Sequence, residues 1–394
     1  MSEKDFEIVC AKIEDKKEFL NSISQEIWKM PELNYKEVQA HAVLTCALKR
    51  CGFQVQKHYF MPTAFRAEFC PKKVSGPTVA ILLEYDALPE IGHACGHNLI
   101  AEAGLAAAIA VKAAMEEDAD LKGKLVVMGT PAEEGGGGKI RLLELGAFEG
   151  IDSAMMVHPA KITNFFPRTL CNVRYSVQYK GKEAHAGACP WEGRNALDAA
   201  VSCYLNIAQL RQHLKPSWKI QAIITKGGTI PNIIPSAAEM EVHLRTPTRN
   251  ELKVLRTRAE ACFTSAATAT GCEVQFRYDE ANAYENLITN KVLANIFKEY
   301  AERLGMKEFG EAVPSTDMGN ISHVIPAAQP LYAIPCEAPN HTEEFAKASR
   351  SEEAQGPTLL VSKAMAMTAL KVFRLPHMID EMRRIFEEDL ANDM

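Results

Sequence analysis

The sequence predicts an α/β protein: a mostly parallel sheet flanked by helices, with a smaller α+β module inserted into it. Three observations predict this. Short, continuous apolar runs alternate with helical segments up to Val157, period-two alternation replaces them from Val173, and helix and strand return after Asn286. Residues 1–169 and 287–394 therefore form one expected domain and residues 170–286 the other. At 394 residues, two cores are more natural than one.

The first elements follow from their patterns. Met1-Ser2-Glu3-Lys4-Asp5 is polar and leads into a charged amphipathic stretch, unlike a secretory signal. Thr78–Leu83, Lys124–Met128 and Ser153–Val157 are short apolar runs, as in strands buried on both faces. Leu99–Met115 and Lys139–Phe148 between them read as helices. Leu99–Met115 is Ala-rich but carries Glu102, Gly104 and Lys112, so it is expected to be a buried helix and not a membrane span. Strand–helix–strand alternation implies parallel pairing.

The inserted module begins with Val173–Tyr179, a half-exposed antiparallel strand. A helix over Asn195–His213, strands at Trp218–Thr225 and Ala238–Leu244, a helix over Glu251–Ala269 and a strand at Glu273–Tyr278 complete the order β-α-β-β-α-β. The chain is expected to end in a long helix, Ser351–Phe373.

Hydrophobic residues make up 47% of the chain and charged residues 24%, with a net charge of −6. That balance gives no clustered basic face for nucleic acid, and no partner membrane is expected. Eleven cysteines without a framework of spacings suggest reduced thiols and a cytosolic location. Ten are assigned to packing; Cys95 is the exception.

Cys95 and His97 lie two residues apart in Gly92-His93-Ala94-Cys95-Gly96-His97-Asn98. Alone, such a pair is usually a core thiol beside a loop histidine. Glu134, His158 and the distal His341 reverse that balance, because thiolate, imidazole and carboxylate together suit zinc or a similar ion. Asp86, Glu133, Glu134 and His158 each follow a predicted strand, and parallel sheets bind ligands at the carboxyl ends of their strands. In Glu133-Glu134 one carboxylate can hold a cation while its neighbour takes a proton from water. Asp86 is suited to orienting a ligand histidine through its free ring nitrogen. A Cys95 nucleophile paired with a histidine is the competing chemistry, but it leaves two glutamates and two more histidines unemployed. A metal-free binding protein on the same scaffold is the reading from another class.

In the inserted module, His185, Asn232 and Arg245 offer donors suited to an oxyanion or a substrate carboxylate. His93 is expected to support a ligand, and His323 to be a strand residue without chemistry.

These motifs together resemble the aminoacylase/carboxypeptidase-type metallopeptidases of the M20 family, subfamily D. The likeness rests on Glu84-Tyr85-Asp86-Ala87-Leu88-Pro89, the Gly92–Asn98 segment, Gly129-Thr130-Pro131-Ala132-Glu133-Glu134, Pro231-Asn232-Ile233-Ile234-Pro235-Ser236, Ser315-Thr316-Asp317 and Asn340-His341-Thr342. The motifs look most like the cytosolic branch that cleaves β-alanyl-lysine, β-alanyl-ornithine or Xaa-Arg dipeptides, with aminobenzoyl-glutamate and N-acyl amino acid hydrolysis as the alternative. The resemblance implies two zinc ions per subunit, with manganese or cobalt as substitutes, bound by Cys95, His97, Glu134, His158 and His341. It implies Glu133 as general base, and a homodimer formed through the inserted module as a lid. It also implies that His185 reaches the partner subunit's site and that Asn232 and Arg245 contact substrate. Asn98 stands where many members carry Asp, which leaves Cys95 as the expected bridge between the ions.

Overall fold

The computed structural model describes residues 3–71, 76–118 and 120–393. The chain forms two compact units: one runs to Arg168 and resumes over Leu287–Asn392, and the other spans Thr169–Asn286 and takes in Asp393. In chain order the strands are β1 (Gln54–Lys57), β2 (Phe65–Phe69), β3 (Thr78–Leu83), β4 (Lys124–Gly129), β5 (Ser153–Met155) and β6 (His158–Ala160). Then come β7 (Cys171–Lys180), β8 (Lys219–Lys226), β9 (Ala237–Thr246), β10 (Glu273–Tyr278), β11 (Ala327–Ala328) and β12 (Leu331–Ala333).

The larger unit holds a six-stranded sheet in the order β1-β2-β4-β3-β5-β11. β4, β3, β5 and β11 run parallel, as the apolar runs require, and all six residues of β3 are buried. The β1–β2 hairpin adds an antiparallel edge. Beside β3 packs the helix His97–Glu117, almost all of it buried. Its small residues allow this: a Cβ at Gly104 would lie 2.7 Å from Leu83 Cδ1. The N-terminal helix Glu3–Lys29 and the helix Gln355–Arg374 cover that helix, so it is core.

The smaller unit has the order β-α-β-β-α-β and an antiparallel sheet β10-β7-β9-β8. In β7, Cys171, Val173, Tyr175, Val177 and Tyr179 are buried and the residues between them are not, which is the period-two pattern of the sequence. They meet Ala199, Cys203, Leu255 and Phe263 from the helices Ala196–Arg211 and Arg249–Thr270. Asn195 and Thr248 cap those helices, each accepting backbone N–H groups of the first turn.

Several expectations are corrected. His323 follows the short helix Met318–Ser322 instead of lying in a strand. The last helix is Met378–Asp393, beyond the predicted terminus of regular structure. β5 stops at Met155, and the helix after the glycines ends at Glu144, not Phe148. Among the ten cysteines assigned to packing, only Cys171, Cys203 and Cys262 are buried, and Cys46 is exposed.

Candidate metal centre

The carboxyl ends of β3, β4 and β5 share one edge of the parallel sheet, and each delivers part of a single cluster. Glu84 and Asp86 follow β3, Glu133 and Glu134 follow β4, and His158 opens β6 just past β5. Cys95 and His97 flank Gly96, whose φ of +81° starts the helix His97–Glu117. A Cβ there would come within 2.6 Å of Pro159 Cγ, so only glycine lets the thiol-bearing turn close on the His158 segment. The distant Asn340 joins these pieces, donating from Nδ2 to the carbonyls of Cys95 (3.2 Å) and Pro159 (3.0 Å). The His341 N–H donates to Ala94 O at 2.8 Å.

Three donor triplets result, each with its atoms within 4.8 Å of one another: Cys95, His97 and His158; Cys95, Glu134 and His341; and Glu84, His97 and Glu133. Cys95 Sγ is 3.5 Å from His158 Nε2, and His341 Nε2 is 3.3 Å from Glu134 Oε1. His97 Nε2 lies 3.5 Å from Glu84 Oε2, 3.8 Å from Glu134 Oε1 and 3.9 Å from Glu133 Oε2.

The ring orientations suit cation binding. Asp86 Oδ1 sits 2.9 Å from His97 Nδ1, and Pro159 O sits 2.8 Å from His158 Nδ1. Both imidazoles thus turn Nε2 inward. Glu84 Oε2 and His97 Nε2 are fully buried and form no hydrogen bond. Buried polar atoms that face one another without a partner are costly unless something sits between them. A divalent cation fits this donor set.

The charges say the same. Burial works against a charged His97, yet Asp86 and Cys95 hold its pKa well above the ordinary value. A cation would displace that proton. Burial, then the charges of Glu84 and Glu134, push the Glu133 carboxyl well above the usual range. Glu134 is held below it despite burial, through its hydrogen bond with His341 and the charge of His97.

The turn carrying the two glutamates is strained and braced. Ala132 has φ +60°, which costs a non-glycine residue about 1–2 kcal/mol. A Cβ at Gly138 would fall 1.7 Å from Pro131 O, so the turn closes only over glycine. The Glu134 N–H donates to Asp86 Oδ2 at 2.9 Å, giving Asp86 a second task beside His97.

Sequence reasoning missed Lys139 and Asp317. Fully buried, the Lys139 ammonium donates to Glu84 Oε1 at 2.5 Å and to Asp317 Oδ1 at 2.7 Å. The only local signals were a lysine directly after Gly135–Gly138 and an acid in Ser315-Thr316-Asp317. His93, expected to support a ligand, instead bonds to Ile27 O at 3.1 Å. Asn98 Nδ2 donates to Ser24 Oγ and Ser349 O, so its departure from Asp concerns helix packing.

In the smaller unit, the His185 and Asn232 loops lie together: the Ala186 N–H donates to Asn232 O at 3.0 Å, and His185 bridges Ile233. Both residues are exposed. Arg245 is elsewhere. It pairs in register with Asn172, whereas the loops of His185 and Asn232 flank the Lys180–Ala237 end of the same ladder. Eight residues of strand separate the two ends, about 26 Å at the usual rise.

Residues 81–356 match the model of peptidase family M20/M25/M40. The chain is 46% identical to a mouse Xaa-Arg dipeptidase, with 97% of this chain and 93% of that protein covered. It is 43% identical to a human Xaa-Arg dipeptidase, covering 97% and 92%. Its fold is similar to that of a Bacillus subtilis dinuclear metal-binding peptidase of the M20 family, at a TM-score of 0.73 and 20% identity over 92% of this chain and 99% of the other. The donor cluster and these likenesses agree: the chain belongs to peptidase family M20/M25/M40 and is a metal-dependent hydrolase.

Proposed function

We propose that the protein is a dinuclear zinc dipeptidase that acts on dipeptides with a basic C-terminal residue, of the β-alanyl-lysine, β-alanyl-ornithine or Xaa-Arg type. The observation that carries this reading is the pair of donor triplets sharing Cys95, with the Glu133 carboxyl beside them. The near-full-length identity to Xaa-Arg dipeptidases supports the substrate class.

Cys95, His97 and His158 would hold one ion, and Cys95, Glu134 and His341 the other, Cys95 belonging to both sets. A thiolate with imidazoles favours zinc, and manganese or cobalt can replace it. A divalent cation held there polarises the scissile carbonyl and acidifies water. Glu133 takes the proton of the attacking water and passes it to the leaving amine. Burial and the charges of Glu84 and Glu134 raise its pKa, which favours taking up that proton. Asp86 keeps His97 and the Glu134 backbone in place.

His185 supplies the oxyanion donor. Its Nδ1 accepts the N–H groups of Gly187 (3.2 Å) and Ala188 (3.1 Å), which leaves Nε2 carrying the proton. Asn232, from the adjoining loop, joins it. Arg245 binds the substrate carboxylate: it shares its sheet face with Arg174 and His243, and its guanidinium suits bidentate contact with a carboxylate.

The exposure of the His185 and Asn232 loops supports a homodimer formed through this module, in which His185 reaches the partner subunit's site. The edge strand β8, with Ile223 and Ile224 exposed, and the neighbouring helix with exposed Val201, Tyr204 and Leu205 offer the apolar surface. Eleven cysteines, none of them in a disulfide among the described residues, fit the cytosol.

A panel of β-alanyl and α-amino acyl dipeptides with basic or acidic C-terminal residues tests the reading. Release of lysine, ornithine or arginine, lost on chelation and restored by zinc, is expected. Release of acidic residues alone overturns the substrate class. Activity that survives chelation but dies on thiol alkylation makes Cys95 the nucleophile.

A further inference from the structure

We propose that Glu37 and Tyr35 are positioning residues for the general base, a role that rests on the reading of Glu133 above. Their segment, Leu33-Asn34-Tyr35-Lys36-Glu37, lies against the turn that carries Glu133 and Glu134. Glu37 is fully buried, and its Oε1 accepts the N–H of Ala132 at 3.0 Å and the N–H of Tyr35 at 2.9 Å. Tyr35 Oη donates to Gly136 O, at the far side of the same turn. The ring leaves no room beside it: a Cβ on Gly136 would stand 2.5 Å from Tyr35 Cε2. One carboxylate thus ties the grip on Ala132 to the grip on Gly136.

What is gripped is a residue in the left-handed region, which residues other than glycine rarely adopt. Ala132 is buried with φ +60°, directly before Glu133. Its carbonyl accepts from Gly136 N (3.1 Å) and Gly138 N (3.3 Å), but those bonds lie inside the turn. Three side-chain anchors come from outside it: Asp86 on Glu134 N–H, Glu37 on Ala132 N–H and Tyr35 on Gly136 O. A hydrogen bond from a buried backbone N–H to a side-chain oxygen held in place by packing offsets part of the local backbone strain. Releasing Ala132 to an ordinary right-handed or extended conformation swings the Cα–Cβ bond of Glu133. Small displacements of a catalytic group reduce rates by about two orders of magnitude.

The test compares Glu37→Ala, Glu37→Gln and Glu37→Ala with Ala132→Gly, reading kcat, KM, metal content and Tm of each full-length, metal-loaded protein. Glu37→Ala is expected to lower kcat about 10–100-fold with bound metal and KM unchanged. Glu37→Gln is expected to keep most of the turnover, because the amide oxygen accepts the same N–H groups. Adding Ala132→Gly to Glu37→Ala is expected to recover much of the loss, since glycine takes positive φ without strain. A merely structural role gives no such rescue. Unchanged kcat in Glu37→Ala, or a loss that neither glutamine nor glycine restores, overturns the proposal. If Glu37→Ala does not fold, Tyr35→Phe decides: it removes one hydroxyl from a half-exposed side chain, and a kcat reduced about tenfold at unchanged Tm is expected. Unchanged kcat there overturns the proposal. Glu133→Gln in the same series separates the two ideas, because retained turnover in that variant sinks the reading of Glu133 itself.

Discussion

Lys139 meets Asp317 twice, through Nζ to Oδ1 at 2.7 Å and through its backbone N–H to Oδ2 at 2.9 Å. Glu84 accepts a further hydrogen bond from the ammonium, so one buried cation sits between two buried carboxylates. Replacing Lys139 with Met leaves both acids without their buried countercharge and is expected to cost about 3–5 kcal/mol in urea unfolding. Burial pushes Asp317 up to about 6 against the opposing Lys139 charge. Taking a proton therefore relieves the defect, and the variant is expected to lose less stability at acidic pH than at alkaline pH. Equal losses at both would mean that packing, not charge, is responsible.

Cys95 belongs to two triplets. Cys95→Ser is accordingly expected to deplete both ions, read as metal per chain by mass spectrometry. Glu133→Gln is expected to retain its metal while losing about 10²–10⁴-fold in turnover. Normal metal content in Cys95→Ser refutes the shared thiolate.

Glu102 is buried in the helix His97–Glu117, where burial raises its pKa from 4.5 to about 7 and a hydrogen bond from Gln355 only partly opposes this. Between those values the folded chain keeps a proton that the unfolded chain has released, so stability falls as pH rises through that window. Glu102→Gln removes the penalty. It is expected to stabilise the protein by up to about 3 kcal/mol at pH well above 7 and to have little effect near pH 4. Thermal denaturation at the two pH values measures this.

His185→Ala is expected to reduce turnover about 10²–10³-fold while the fold persists. Mixed and reassociated with Glu133→Gln, it is expected to recover about a quarter of the wild-type rate, because half of the dimers then contain one site with an intact base and an intact partner histidine. Failure to complement would place His185 in its own subunit's site.

The sequence revealed what repeats along the chain. Six consecutive buried residues in β3 and the in–out alternation of β7 report burial directly, so strands, direction and the loops bearing Asp86, Glu133, Glu134 and His158 followed from them. The β1–β2 edge did not, because Gln54-Val55-Gln56-Lys57 is mostly exposed and carries little apolar pattern. The Lys139–Asp317 pair and the Glu37–Ala132 bond span 178 and 95 positions of the chain. Such bonds exist only after tertiary closure and leave no period to read. His323 shows the reverse error: apolar neighbours suggested a strand where a short helix packs its residues just as deeply.

The return of the chain after residue 286 sets a timetable for synthesis. β11 lies beside β5, Asp317 reaches Lys139, and His341 hangs from Ala94 O. Translation delivers these closing pieces last, whereas the inserted unit finds its partners almost entirely within its own stretch. A nascent polypeptide paused before His341 thus carries the Cys95 thiol in an unfinished cage. The donor set of Cys95, Glu134 and His341 is therefore assembled only once residue 341 has joined the chain.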